Sequence, residues 1–112
     1  MEAKEILEGK LKKSGLPVAE EEYFGKKSRY ITYVEAAENG INYADNEPDD
    51  NKTSFQVHYF CPLQEDDSRE VAKQIRKLLE TDNIFIGATT RMRDKDAEKR
   101  HVIITCDIVT KH

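Results

Sequence analysis

His58, Cys61, His101 and Cys106 are the residues here whose chemistry comes nearest to a metal site. Zinc needs three or four such donors converging at about 2.0–2.3 Å. Their spacing works against convergence. His58 and Cys61 share a strand-like segment at an odd separation, and strand side chains alternate faces, so the two diverge. His101 and Cys106 diverge for the same reason. Two small buried thiols and two surface histidines are expected, with no metal and no cofactor. Nucleophilic catalysis has no better footing. There is no Gly-x-Ser-x-Gly elbow, and the glycines stand singly rather than in a phosphate-cradling loop. Asp49-Asp50 and Asp66-Asp67 pair carboxylates, but in turns, where adjacent acids cap and stay solvated. Asp45, Asp49 and Asp50 lack the calcium-loop spacing and its terminal Glu. The chain is expected not to be an enzyme.

The composition narrows the classes further. A chain of 112 residues makes a single domain (1–112) with one core. Lys and Arg number 18 against 22 Asp and Glu, a net charge of −4, which argues against general nucleic-acid binding. Any basic patch has to be local. Apolar runs fall far short of the ~20 residues that span a bilayer, so no membrane is expected. The N-terminal Met1-Glu-Ala-Lys-Glu5 lacks an apolar signal region, and two cysteines make no disulfide framework. A reducing cytoplasm is the expected compartment.

Periodicity supplies the elements that would position these residues. Ala3, Ile6, Leu7 and Leu11 recur at helical spacing, and Gly15 then Pro17 end the helix. Val18 to Phe24 reads as a connector or short edge strand. Arg29 to Glu35 is strand-like, with Ile31 and Tyr33 on one face and Tyr30 and Val34 on the other. Glu38 to Lys52 reads as a long loop, with Pro48 to Asn51 as a sharp reversal. Thr53 to Cys61 alternates, putting Phe55, Val57, Tyr59 and Cys61 on one face and Ser54, Gln56, His58 and Phe60 on the other. Asp67 and Glu70 suggest a capping box for a helix carrying Val71, Ile75, Leu78 and Leu79.

Two further strands close the chain. In the first, Ile84, Ile86, Ala88, Thr90 and Met92 share a face, opposite Phe85, Thr89, Arg91 and Arg93. Asp94 to Arg100 is a polar turn. In the last strand, His101 to Val109, Val102, Ile104, Cys106 and Ile108 point inward. The order α-β-β-α-β-β predicts an α+β fold: a four-stranded, mainly antiparallel sheet with two helices on one face. Strand order stays open.

The surface then offers two candidates. With one face under helices, the other keeps Phe60, Phe85 and Ile103 with one pair from the first long strand, Ile31 and Tyr33 or Tyr30 and Val34, of which Tyr33 is assigned to the contact. A half-apolar second face on a small sheet suggests a subunit interface, against the bland reading of scattered surface hydrophobes. Arg91 and Arg93, with Lys95, Lys99 and Arg100 nearby, make a local basic edge. It reads as a docking surface for an acidic partner, or as charge that discourages edge-to-edge pairing.

The same elements carry a resemblance. An amphipathic helix leads into Tyr30-Ile-Thr-Tyr-Val-Glu35, the Tyr43-Ala-Asp-Asn46 loop and the Phe55-Gln-Val-His-Tyr-Phe60 strand. The Ile75-Arg-Lys-Leu-Leu79 helix and the strands Ile84 to Met92 and Val102 to Ile108 complete it. In that order the chain resembles the tail-terminator, or head–tail joining, proteins of long-tailed bacteriophages and prophages. The resemblance implies a non-enzymatic structural protein that assembles into a ring, commonly hexameric. Such a ring caps the tail tube, ends its growth and faces the head connector. Its partners would be its own copies, the tube protein and a connector or neck protein. It would reside in the bacterial host cytoplasm during assembly and then in the virion tail. On the physical reading, Arg91, Arg93, Tyr43 and Asp45 would be the docking residues. Another neck or minor tail component is the alternative in the same class, and a small ligand-binding or regulatory domain the alternative outside it.

Overall fold

The computed structural model describes residues 2–44, 47–94 and 98–111, the side chains of 40–49 and of Asp94 excepted. The elements are α1 (Ala3–Lys12), β1 (Val18–Glu20), β2 (Tyr30–Ala44), β3 (Glu47–Pro62), a short 3-10 turn (Leu63–Glu65), α2 (Ser68–Leu78), β4 (Ile84–Asp94) and β5 (Lys99–Lys111). The fold is α+β. Its sheet has five strands rather than the expected four, in the order β1-β2-β3-β5-β4. The extra strand is β1, three residues parallel to β2, with Val18 opposite Ile31. Every other pairing is antiparallel. β3 and β4 therefore run parallel, joined by the α2 crossover, and β5 fills the place between them.

Alternation decides which side chains enter the core. Ile31, Tyr33, Phe55, Val57, Tyr59, Cys61, Ile84, Val102, Ile104, Cys106 and Ile108 line one sheet face. Leu7 and Leu11 of α1, with Val71, Ala72, Ile75 and Leu79 on or just past α2, cover it. At α1 the Glu2 and Glu5 side chains form a capping box. Gly15 takes φ of 80°, the left-handed terminator expected after this helix. Tyr33 reaches the helix layer and donates its hydroxyl to Glu8.

Two further expectations are overturned. The segment 38–52 is no loop, because β2 and β3 stay paired from Tyr30↔Phe60 out to Ala44↔Glu47. They form a long hairpin that helps extend the molecule to 55 Å along one axis, against 24 and 23 Å. Pro48 to Asn51 lies inside β3, with Pro48 opposite Tyr43. A hairpin beyond its sheet has two free edges, so a residue without an N–H fits there. Asp45 and Asn46 lie outside the described residues, as do 95–97.

The second correction concerns β4. Its pairing with β5 slips between Ile86 and Thr89, a bulge at Gly87-Ala88. One extra residue inverts the alternation beyond it. Thr89, Arg91 and Arg93 thus join Ile84 and Ile86 on the helix side, opposite Ile104, Val102 and Arg100, while Thr90 and Met92 pass to the open face with Phe85. A Cβ on Gly87 would come within 2.4 Å of Thr105 Oγ1, so the bulge is built on the missing side chain.

Candidate functional site

The face without helices carries a row of rings set across the strands. Tyr23, in the segment after β1, stacks on Tyr30 of β2 with centroids 4.5 Å apart. Tyr30 stacks on Phe60 of β3 at 4.9 Å, and Phe60 on His101 of β5 at 4.3 Å. Register explains the row, since Phe60 lies opposite both Tyr30 and His101. Met92 of β4 faces His101 from the other side. Lys99 Nζ donates to the Tyr30 hydroxyl at 2.9 Å and lies 5.0 Å from the ring centroid, adding a cation–π contact.

His58 and His101 meet within this row, Nδ1 to Nε2 at 2.6 Å. One nitrogen donates and the other accepts. Burial, and then the neighbouring His101, hold the His58 imidazole below its ordinary value. Sequence placed these two on the surface but not together, because the β3–β5 register cannot be read from either strand alone. Cys61 and Cys106 lie on the opposite, covered face, as their spacing required. Burial pushes their thiols up, to about 11 and about 12. That disfavours the thiolate that metals and electrophiles need. Among the described residues no three His, Cys, Asp or Glu converge on a common point.

The sequence-predicted interface residues separate. Phe60 and Ile103 are half-buried on the open face, Phe60 being clamped between its neighbours in the row. Phe85 projects from the same face, 59% exposed, and Met92 is 46% exposed. Tyr33 does not belong with them. It lies on the covered face at 0% exposure, packed edge-on against Phe55. Its odd position in β2 sets it with Ile31, so the assignment to the outer contact is corrected.

The docking residues also divide. Arg91 is held within the fold: Nε and Nη2 donate to Ser68 Oγ at 3.1 and 3.0 Å, and Nη2 to Asp66 Oδ2 at 3.2 Å. Arg93 is exposed and pairs in register with Arg100. Asp45 and the Tyr43 side chain lie outside the described residues.

Asp66 is the centre of a network that sequence reasoning only half found. Its Oδ1 accepts from the Ser68 N–H at 2.9 Å and its Oδ2 from Arg100 Nε at 3.0 Å. Burial alone would raise this carboxyl, but the Ser68 hydrogen bonds and Arg100 outweigh it and hold the group at about 2. Asp67 Oδ1 accepts from the Tyr59 hydroxyl at 2.7 Å, and Oδ2 from Arg29 Nε at 3.2 Å. Asp67 is the N-cap residue of α2, but its side chain does not cap. The neighbouring Asp66 does that instead, and the expected Asp67–Glu70 capping box is absent. The 65–67 turn thus ties α2 to β3, β4 and β5, and through Arg29 to the segment just before β2. It is structural chemistry, with acids and cations already paired.

No family model matches the chain, and no curated protein matches it. Solved structures do match, and one of them aligns over 100% of this chain and 99% of its own length, with a TM-score of 0.54 and 16% identity. That protein carries only a serial designation, which states no activity. The likeness is one of fold.

Proposed function

We propose that this chain is a structural protein of a phage or prophage tail, one that closes into a ring on the end of the tail tube and stops its growth. The observation that supports it most is the one-sided architecture. Both helices lie on one face of the sheet, and the other exposes Met92 beside an ordered aromatic row and Phe85 at the far end of β4. An apolar face of this kind is the usual mark of a protein contact. In this reading Phe60, Phe85 and Ile103 lie where one copy meets the next. The β2–β3 hairpin and Arg93 reach toward the tube or the neck, and Arg91 serves the fold instead. Side chains that pack and bind do the work, and no bond is made or broken. Closed rotational symmetry limits such a contact to a ring.

Capping of tubes is the test. Tail-tube protein polymerised with this chain should give tubes of limited length, each with added density at one end in electron micrographs. Tubes of unrestricted length with bare ends would refute the reading.

A further inference from the structure

We propose that copies of this chain join head to tail, the basic α2/β4 edge of one seating in an acidic groove at the α1/β1/β2 side of the next. The inference rests on the ring reading and adds to its open-face contact two charged surfaces on the helix side, distinct from Phe60, Phe85 and Ile103, that give the contact its polarity. Both lateral limits of the sheet are open strands, β1 of three residues and β4 of eleven. Each carries one exposed phenylalanine close by: Phe24, 88% exposed, beyond β1, and Phe85 on β4. Open edges of this kind invite pairing with another chain unless something covers them.

The charges at the two sides are opposite. A groove of about 680 Å³ runs from α1 and β1 over β2 to β3 and β5; Glu2, Glu5, Glu20, Glu35 and Glu38 line it, and among the described residues Lys4 and Lys111 are its cations. Lys4 is already paired with Glu20, and Lys111 with Asp50. Among the described residues no ion pair engages Glu35 or Glu38. Across the sheet, Lys73, Arg76 and Lys77 of α2 stand with Ile86 of β4 and a single carboxylate, Glu80. Arg76 is spent on the β4 bulge, donating to Gly87 O and Thr89 Oγ1 at 3.0 and 2.7 Å. Lys73 and Lys77 are exposed, and among the described residues no ion pair engages them.

Complementary charge of this kind steers encounter and fixes orientation. A like-signed meeting, α2 edge to α2 edge, would be repelled. That disfavours a two-fold contact through this edge and favours a heterologous one there, as a ring requires.

Charge reversal tests the pairing. Glu35→Lys with Glu38→Lys makes both surfaces basic, and Lys73→Glu with Lys77→Glu makes both acidic. The substituted side chains are exposed, and circular dichroism with a melting curve verifies each fold. By sedimentation velocity, each variant alone should self-associate at least about tenfold more weakly than the unaltered chain. An equimolar mixture should recover assembly by alternating the two, and rising salt should weaken it. If either variant alone assembles like the unaltered chain, or the mixture stays dissociated, the head-to-tail pairing is wrong while the ring reading stands. If the unaltered chain never assembles, with or without tube, the ring reading fails and the pairing falls with it.

Discussion

Replacing Asp66 with Asn keeps the shape of the side chain and the Oδ1 acceptor but removes the charge that Arg91 and Arg100 address. The Asp66 carboxyl titrates at about 2 in the folded chain against an ordinary 3.8. At 1.36 kcal/mol per pH unit that difference is worth about 2.4 kcal/mol. The side chain is 22% exposed, and solvent screening reduces the figure to about 1–2 kcal/mol. A carboxyl whose folded value is depressed stabilises fully above its unfolded value. Its contribution therefore persists from neutral pH down to about 4 and fades as pH falls through about 2. Urea unfolding, followed by circular dichroism at pH 7, 4, 3 and 2, reads this directly. Asp66→Asn should lower the unfolding free energy by about 1–2 kcal/mol at pH 7 and by much less at pH 2. A variant as stable as the unaltered chain at pH 7, or a gap that stays constant to pH 2, would refute the assignment.

Other consequences are as accessible. Tyr59→Phe strips a buried hydroxyl from Asp67 and should cost about 1–1.5 kcal/mol in the same urea assay. Gly15→Ala forces a side chain into a left-handed turn and should cost about 1 kcal/mol, measured as a lowered melting temperature. Arg91→Glu places a carboxylate beside Asp66 and should destabilise the fold, whereas Arg93→Glu should leave the melting temperature unchanged and weaken tube binding in a pull-down. Cys61 and Cys106, buried and poorly ionised, should react with a thiol reagent at pH 8 only once urea unfolds the chain, as absorbance would show.

Much of the frame was legible because burial writes itself into period. The alternation from Phe55 to Cys61 and from Val102 to Ile108 named the core face, and Leu7, Leu11 and Ile75 named the helices that cover it. The failures have physical causes. Asn, Gly, Asp and Pro between Glu38 and Lys52 read as loop chemistry, yet the backbone there stays paired as a hairpin, and ladder hydrogen bonds leave no mark in side-chain pattern. The bulge at Gly87-Ala88 reversed Thr89, Arg91 and Arg93, because alternation cannot be counted through an unpaired residue. Asp66, rather than Asp67, caps α2, since the choice rests on where Tyr59 and Arg29 lie across the fold. The contact of His58 with His101 depended on register between strands far apart in the chain, which neither strand states alone.

Self-assembly is the claim on which everything functional depends. Sedimentation velocity, run from dilute to concentrated protein with and without tail-tube protein, measures it most directly. One discrete closed oligomer of the 12.9 kDa chain should grow in at the expense of monomer, and Phe85→Asp should suppress it. A 12.9 kDa species alone at every concentration, in the presence of tube as in its absence, would contradict it.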